Sequence, residues 1–160
     1  MRWTQKAMVT SLAKWESSMA KAIFAGGCFW GMEELIRMRP GVLSTRVGYT
    51  GGHASNPTYQ MVCTKTTGHA EAIEVEYDNK VTSYRDLLEF FFQIHDPTTL
   101  DRQGNDIGDS YRSEIFVLSN EQEVDALEII SEINESGRWP ERVVTKVSKA
   151  TDFGKQSPSI

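Results

Sequence analysis

The chain has 160 residues, of which 39% are hydrophobic and 24% charged, and it carries a formal net charge of −5. This composition, with a mean hydropathy of −0.40, is typical of a globular protein of one domain and excludes the collagenous and disordered classes. No apolar stretch is long enough to cross a bilayer, and the acidic balance argues against nucleic acid, whose phosphates bind clustered lysine and arginine. We therefore expect neither a membrane nor a nucleic acid among the partners.

The N-terminal part of the chain, residues 1–20, is predicted to form a flexible extension. It lacks the continuous apolar segment of a secretory signal. Residues 1–18 carry three basic side chains against one acid, so organelle targeting by this segment stays open as an alternative. A single catalytic domain is predicted over residues 21–150.

From residue 21 onward, hydrophobic periodicity predicts strands that alternate with helices. Ser83 and Asp86, and again Ser119 and Gln122, have the spacing of caps at helix starts, and Gly137 is typical of a helix end. Strands are predicted over residues 22–25, 42–49, 72–77, 113–118 and 142–147, and helices over residues 33–38, 83–95 and 121–135. This order predicts an α+β fold, a two-layer ferredoxin-like sandwich with helices on a mixed sheet and irregular loops; an α/β arrangement is the alternative.

The chain has two cysteines, Cys28 and Cys63, and three histidines, His53, His69 and His95. Two cysteines without a secretory signal are typical of reduced thiols, so we expect a reducing, cytoplasmic location. Because there is neither a CxxC nor an HxxxH pair, we predict no metal site.

The segment GGCFWG, residues 26–31, predicts a glycine turn between a strand and a helix, with Cys28 at the helix start. Unpaired backbone N–H groups and the helix dipole favour a nucleophilic thiolate there, although Glu33 and Glu34 oppose its ionisation. The glycines indicate a backbone that another group approaches closely. A small buried cysteine in the core is the alternative interpretation.

Phe29 and Trp30 follow this thiol directly. Isolated aromatic residues usually belong to a core, but two adjacent rings after an exposed thiol cannot easily both point inward. Beside a nucleophile they predict an apolar pocket that suits a small group such as a methyl.

Four blocks, GCFWG, GYTGG, PTYQMVCTKTTGHAEA and DRQGNDIGDSYRSEIF, occur in this order between residues 27 and 116. Together they closely resemble the A-type peptide-methionine sulfoxide reductases, and the resemblance extends from about residue 21 to about residue 147. It implies an oxidoreductase that reduces methionine-S-sulfoxide, protein-bound or free, to methionine and so repairs oxidised proteins. In such an enzyme the cysteine thiolate attacks the sulfoxide sulfur and becomes a sulfenic acid as methionine departs.

The resemblance also implies a role for each residue of the site. The implied catalytic residues are Cys28, Glu71, Tyr59 and Tyr111, and the implied substrate-binding residues are Phe29, Trp30 and Asp106. Cys28 would be the nucleophile, and Glu71 the acid, which a raised pKa keeps protonated near neutral pH. The tyrosine hydroxyls would hold the sulfoxide oxygen, the aromatic pair would receive the S-methyl group, and Asp106 would organise water and the substrate backbone.

Without the resemblance, the residue patterns favour other interpretations of three of these positions. They indicate a solvent-facing Glu71 at a strand start, a Tyr59 in a loop and a Tyr111 in the core. His69, two residues before Glu71, is assigned a structural hydrogen bond.

The route of regeneration departs from the family pattern. Relatives usually carry a resolving cysteine in a C-terminal coil, but no cysteine follows Cys63 here. We expect a structural role for Cys63, no bound cofactor, and direct reduction of the sulfenic acid by an external thiol, thioredoxin or similar; a Cys28–Cys63 disulfide is the alternative.

Residues 151–160 also depart from the family and predict an atypical tail, shortened or frame-shifted. The resemblance further implies a monomer.

Two other functions stay open at this point. A thiol peroxidase also forms a sulfenic acid, although the aromatic pair and the block around Glu71 suit a sulfoxide better than hydrogen peroxide. The other is a catalytically weakened module that binds methionine sulfoxide, which the unusual tail makes credible.

Overall fold

The computed structural model describes residues 18–51, 68–151 and 154–155 of the chain. In this part of the chain the strands are β1 (Met19–Gly26), β2 (Val42–Thr50), β3 (Ala70–Asp78), β4 (Arg102–Gln103), β5 (Asp106–Ile107), β6 (Ser113–Val117), β7 (Lys146–Lys149) and β8 (Gly154–Lys155). The α-helices are α1 (Phe29–Ile36), α2 (Tyr84–Ile94) and α3 (Asn120–Ser136), and a short 3-10 helix spans Asp109–Tyr111. The predicted alternation of strands and helices is confirmed.

Six of these strands form one mixed sheet in the spatial order β7-β6-β1-β3-β2-β8, and β4 and β5 form a separate hairpin. Neighbours in the main sheet are antiparallel, except that β6 and β7 run parallel. The four central strands follow the chain order β1-α1-β2-β3-α2-β6, which is the ferredoxin-like arrangement. The α+β prediction is therefore confirmed.

The helices cover one face of this sheet. Side chains alternate between the two faces of a strand, and on β1 the residues Ala22 and Phe24 face the core cluster that contains the helices. The ring of Phe91 on α2 stacks on Phe24 with a centroid distance of 5.0 Å. The buried stripe of α2 consists of the predicted residues Leu87, Leu88, Phe91 and Phe92 together with Tyr84.

The capping residues that the sequence predicts for the two long helices are confirmed, and each helix boundary lies within one residue of its prediction. Ser83 Oγ accepts a hydrogen bond from the Asp86 amide at 3.0 Å, and Ser119 Oγ accepts one from the Gln122 amide at 3.2 Å. Gly137 follows α3 in the left-handed conformation with φ of 70°, which glycine adopts without steric cost.

The first strand and helix are both longer than predicted. Met19 and Ala20 lie within β1 and pair with β3, so the predicted extension over residues 1–20 is wrong at its end; residues 1–17 lie outside the described residues. Helix α1 begins at Phe29 instead of residue 33, because Cys28 already has the extended backbone of a capping position.

The last predicted strand, over residues 142–147, begins later in the structure. The Val143 amide donates to Asn134 Oδ1 at 2.9 Å and the Val144 amide to the Pro97 carbonyl at 2.7 Å, so these N–H groups are not available to a sheet. Residues 154–155 pair with β2 as β8, and the prediction of an atypical tail over residues 151–160 stays a prediction.

Candidate active site

Cys28 lies in the turn that joins β1 to α1, and its side chain is exposed. It occupies the N-cap position with φ of −63° and ψ of 119°, and its carbonyl accepts the first helical hydrogen bond from the Met32 amide at 3.2 Å. The thiol is therefore at the start of a helix, as the sequence predicts, and the alternative of a buried core cysteine is wrong.

The glycines around this thiol have different reasons to be glycine. A Cβ atom at Gly26 would collide with Met32 Cε and lie 2.9 Å from Phe91 Cε1, and one at Gly27 would lie 2.6 Å from Gln103 Cγ. Side chains of the protein itself thus make the predicted close approach at these two positions. No described atom lies within 4 Å of a Cβ built at Gly31, so the structure shows no such approach there.

The two rings after the thiol point to different sides. Phe29 is 2% exposed and packs against Val47 and Tyr49, with its ring centroid 5.3 Å from that of Tyr49. Trp30 is 50% exposed and meets the Phe29 ring edge-on at 5.2 Å. As predicted, the rings do not both point inward, and the indole of Trp30 is the one that offers apolar surface beside Cys28.

Glu71 is buried beneath the same turn, with 4% of its surface exposed. It lies on β3 opposite Tyr49, and its Oε1 accepts a hydrogen bond from the Phe29 amide at 3.2 Å. The alternative of a solvent-facing glutamate is therefore wrong. The alternation of β3 contains a signal for this burial, because Glu71 has the same parity as Ile73 and Val75, which lie in the helix-covered core.

Burial raises the pKa of Glu71 to about 7, and the nearby negative charge of Asp106 contributes to the rise. The hydrogen bonds from the Phe29 amide and the Tyr111 hydroxyl oppose it, because both stabilise the carboxylate. The carboxyl group is therefore partly protonated near neutral pH, and it is hydrogen-bonded to the amide of the residue that follows Cys28.

Asp106 and Tyr111 reach Glu71 from the segment between α2 and β6. Asp106 is exposed on β5, and Tyr111 is half-buried at the end of the 3-10 helix. The structure thus brings six of the predicted site residues together: Cys28, Phe29, Trp30, Glu71, Asp106 and Tyr111. Tyr59 and Cys63 lie outside the described residues, so the predictions for them, including the Cys28–Cys63 disulfide, stay predictions.

A buried ion pair supports this segment, and sequence reasoning missed it. Arg112 Nε donates to Glu114 Oε1 at 2.6 Å, and Arg112 Nη1 donates to the Asp109 carbonyl at 2.8 Å. The second carboxylate oxygen of Glu114 accepts from Ser148 Oγ at 2.6 Å. The pair ties the turn that carries Tyr111 to the sheet. Both side chains are buried, whereas charged residues are normally expected at the surface, so the residue pattern did not indicate the pair.

Two buried histidines lie close to the site residues in the fold. Burial lowers the pKa of His95 to about 4, so its ring is neutral, and its nitrogens lie 2.8 Å from Ser113 Oγ and within hydrogen-bonding distance of the Phe91 carbonyl. His69 is also buried, and its structural role stays a prediction.

Among the described residues, no group of three or more His, Cys, Asp and Glu side chains could hold a metal ion. None of the helices in the same residues is long and apolar enough to span a membrane.

Comparisons with known proteins point to one family. The family model "Peptide methionine sulfoxide reductase" matches residues 20–157. The peptide methionine sulfoxide reductase MsrA of Mycolicibacterium gilvum is 60% identical over 142 residues, which cover 89% of this chain and 82% of the relative. The reduced form of Mxr1 from Saccharomyces cerevisiae is 32% identical, with a TM-score of 0.83 over 89% of this chain and 82% of that one. Mxr1 in complex with Trx2 is 26% identical, with a TM-score of 0.65 over 87% and 81% of the two chains.

Proposed function

Because this chain belongs to the peptide methionine sulfoxide reductase family and is an oxidoreductase, we propose that it reduces methionine-S-sulfoxide, protein-bound or free, through a sulfenic acid on Cys28. The observation that carries the proposal is the hydrogen bond between Glu71 and the Phe29 amide. It holds a carboxyl group with a pKa of about 7 beside an exposed thiol at a helix start. The nucleophile and the proton donor are thus connected through the backbone amide of Phe29, the residue that follows Cys28.

In the proposed reaction, the Cys28 thiolate attacks the sulfoxide sulfur while protonated Glu71 gives its proton to the sulfoxide oxygen. The protonated oxygen then moves from that sulfur to Cys28 Sγ. The S–O bond of the sulfoxide and the new Sγ–S bond break, an Sγ–O bond forms, the thioether leaves, and Cys28 becomes a sulfenic acid. The sulfoxide gains two electrons and the thiol loses two, so the step needs no metal or cofactor to balance. The pKa of about 7 allows Glu71 to be protonated before the reaction and to release its proton readily during it.

The neighbours of Glu71 suit the charge and shape of the substrate. The Tyr111 hydroxyl, already hydrogen-bonded to Glu71, can donate to the sulfoxide oxygen as negative charge builds there, and Tyr59 is proposed to add a second donor. The exposed indole of Trp30 would receive the S-methyl group, and buried Phe29 would support that ring from behind. Asp106 would orient water and the substrate backbone.

Regeneration of the thiol requires two electrons from outside the site. One external dithiol can reduce the sulfenic acid to the thiol with release of water and formation of its own disulfide. The exposure of Cys28 suits access by a protein reductant, and the complex of Mxr1 with Trx2 makes a thioredoxin the proposed donor. A transient Cys28–Cys63 disulfide is the alternative route.

The test uses the wild type and Cys28→Ser with dithiothreitol and each sulfoxide epimer of dabsylated methionine. Reduction of the S epimer by the wild type alone supports the proposal. Turnover of hydrogen peroxide without sulfoxide reduction would indicate a thiol peroxidase, and binding of the sulfoxide without turnover would indicate a binding module. Either result would contradict the proposed function.

A second measurement identifies the intermediate. After one equivalent of sulfoxide without reductant, intact-mass spectrometry should show the wild type heavier by one oxygen atom, as a sulfenic acid requires. A loss of two hydrogen atoms would instead indicate a disulfide with Cys63 and would contradict direct reduction by an external thiol.

A further inference from the structure

The side chain of Gln103 is held at both ends of its amide group. Its Oε1 accepts from the Asp96 amide and its Nε2 donates to the Asp96 carbonyl, both at 2.7 Å. Two hydrogen bonds to the backbone of one residue leave the amide no free rotation. Gln103 therefore connects the β4–β5 hairpin rigidly to the residue that follows His95.

The aliphatic part of the same side chain lies on the backbone of the cysteine turn. A Cβ atom at Gly27 would lie 2.6 Å from Cγ and 2.8 Å from Cβ of Gln103. These two methylene groups therefore occupy the space that a side chain at position 27 would need. Gly27 has φ of 99°, a conformation that side-chain-bearing residues rarely adopt. The turn that presents Cys28 thus has a backbone conformation that favours glycine, and Gln103 covers it from one side.

The preceding glycine, Gly26, packs against the buried ring of His95. A Cβ atom at Gly26 would lie 3.1 Å from His95 Cδ2, and the ring is fixed by the Phe91 carbonyl on one side and by Ser113 Oγ on the other. Asp96 follows His95 directly in the chain. Gly26 is therefore packed against the end of α2, and Gly27 against Gln103, which is hydrogen-bonded to the residue that follows His95.

The hairpin that Gln103 anchors also carries Asp106. In the register of β4 and β5, Gln103 lies opposite Asp106, whose negative charge acts on Glu71. One side chain thus touches the turn of the nucleophile and belongs to the hairpin that faces the acid.

We infer that Gln103 is a positioning residue, which fixes the Gly27–Cys28 turn and the Asp106 hairpin relative to each other and so sets the geometry between Cys28 and Glu71. The inference rests on the proposed function for its catalytic consequence. A displacement of about 1 Å between reacting groups can lower a rate about a hundredfold, so loss of both hydrogen bonds should affect turnover more than binding.

The chain offers a matched control for this experiment. Gln122 also bridges two backbone groups, with Oε1 accepting from the Leu118 amide at 3.0 Å and Nε2 donating to the Lys21 carbonyl at 2.7 Å. It is half-buried like Gln103, and it lies at the other end of β1 from Cys28. Gln103→Met and Gln122→Met both keep the aliphatic stem and remove two comparable hydrogen bonds.

Gln103→Met is expected to lower kcat by about tenfold or more with little change in KM, whereas Gln122→Met should keep wild-type kinetics. Urea unfolding of both variants checks that the comparison is made between folded proteins. The alkaline limb of the pH profile of kcat/KM should also move to lower pH in Gln103→Met. Asp106 would no longer be held near Glu71, and without that negative charge the pKa of Glu71 falls. Kinetics of Gln103→Met within twofold of those of Gln122→Met would overturn the inference.

A readout that does not depend on the reductase reaction separates the two proposals. The rate of Cys28 alkylation by iodoacetamide should change at least about threefold in Gln103→Met and stay at the wild-type value in Gln122→Met, because the turn that orients the thiol has moved. If the wild type reduces no sulfoxide, the proposed function fails, and the alkylation rates alone decide the positioning role. Equal alkylation rates in the two variants would then overturn it.

Discussion

Replacement of Glu71 by glutamine should separate the catalytic value of its carboxyl group from the stability that this group costs the fold. The side chain is 4% exposed, and burial raises its pKa from 4.5 to about 7. The folded protein therefore holds a proton that the unfolded chain releases. Below about pH 4.5 both states are protonated and nothing is lost. As the pH rises from about 4.5 to about 7, only the unfolded chain releases the proton and the fold loses stability; above about 7 both states are charged and the loss is complete.

The size of the loss follows from the shift. Each pKa unit corresponds to about 1.4 kcal/mol, so the rise from 4.5 to about 7 costs the wild type about 3 kcal/mol of unfolding free energy above neutral pH. Glutamine is neutral at every pH and keeps an oxygen for the Phe29 amide, which donates to Glu71 Oε1 at 3.2 Å. Relative to the wild type, Glu71→Gln should therefore gain about 3 kcal/mol between about pH 4.5 and about pH 8.

The assay is urea unfolding of both proteins, followed by tryptophan fluorescence at a series of pH values across this window. In parallel, kcat/KM of the wild type should fall as the pH rises through about 7, and Glu71→Gln should lose about a hundredfold or more in kcat/KM together with this pH dependence. Glu76→Gln, on the same strand, is the control for activity and should keep wild-type turnover. Unfolding free energies of wild type and Glu71→Gln that run parallel across the window would refute the argument from burial.

Two further pairs of variants test the supports of the site. Gly27→Ala should destabilise the fold by about 1–3 kcal/mol and lower activity, because φ of 99° is strained for alanine. Its control is Gly31→Ala, which has open space around it and should raise the unfolding free energy by about 0.5–1 kcal/mol through helix propensity. Glu114→Gln should cost about 3–5 kcal/mol in urea unfolding, because it leaves the buried charge of Arg112 without its partner; a double variant with Arg112→Met and Glu114→Leu should recover part of that loss. Equal stability of the alanine variants, or of the single and double variants, would contradict these two explanations.

Much of the fold could be predicted because its signals are local. The cap of α2 is a bond between Ser83 and Asp86, three residues apart, and its buried stripe follows from helical spacing alone. The boundaries that could not be predicted depend on distant partners. The start of β7 is delayed by hydrogen bonds from Val143 to Asn134 and from Val144 to Pro97, and no pattern within residues 142–147 contains that information.

The candidate site divides in the same way. The glycines and aromatic residues around Cys28 predicted a thiol at a helix start, and the four sequence blocks named the residues that should join it. The residue pattern around Glu71, however, favoured a solvent-facing side chain, and the parity shared with Ile73 was the one local signal against it. No pattern in the sequence indicated that Gln103 anchors the turn.

By itself, the sequence determined the elements, their order, the place of the thiol and the family to which the chain belongs, because these depend on residues that are near one another or on motifs in fixed order. Only the tertiary structure decided that Glu71 is buried, and this burial is the cause of the raised pKa that the resemblance implied. The physical reason is that desolvation is a property of surroundings: the amide that binds Glu71 comes from Phe29, which is 42 residues away, and the negative charge that raises its pKa comes from Asp106 on another hairpin.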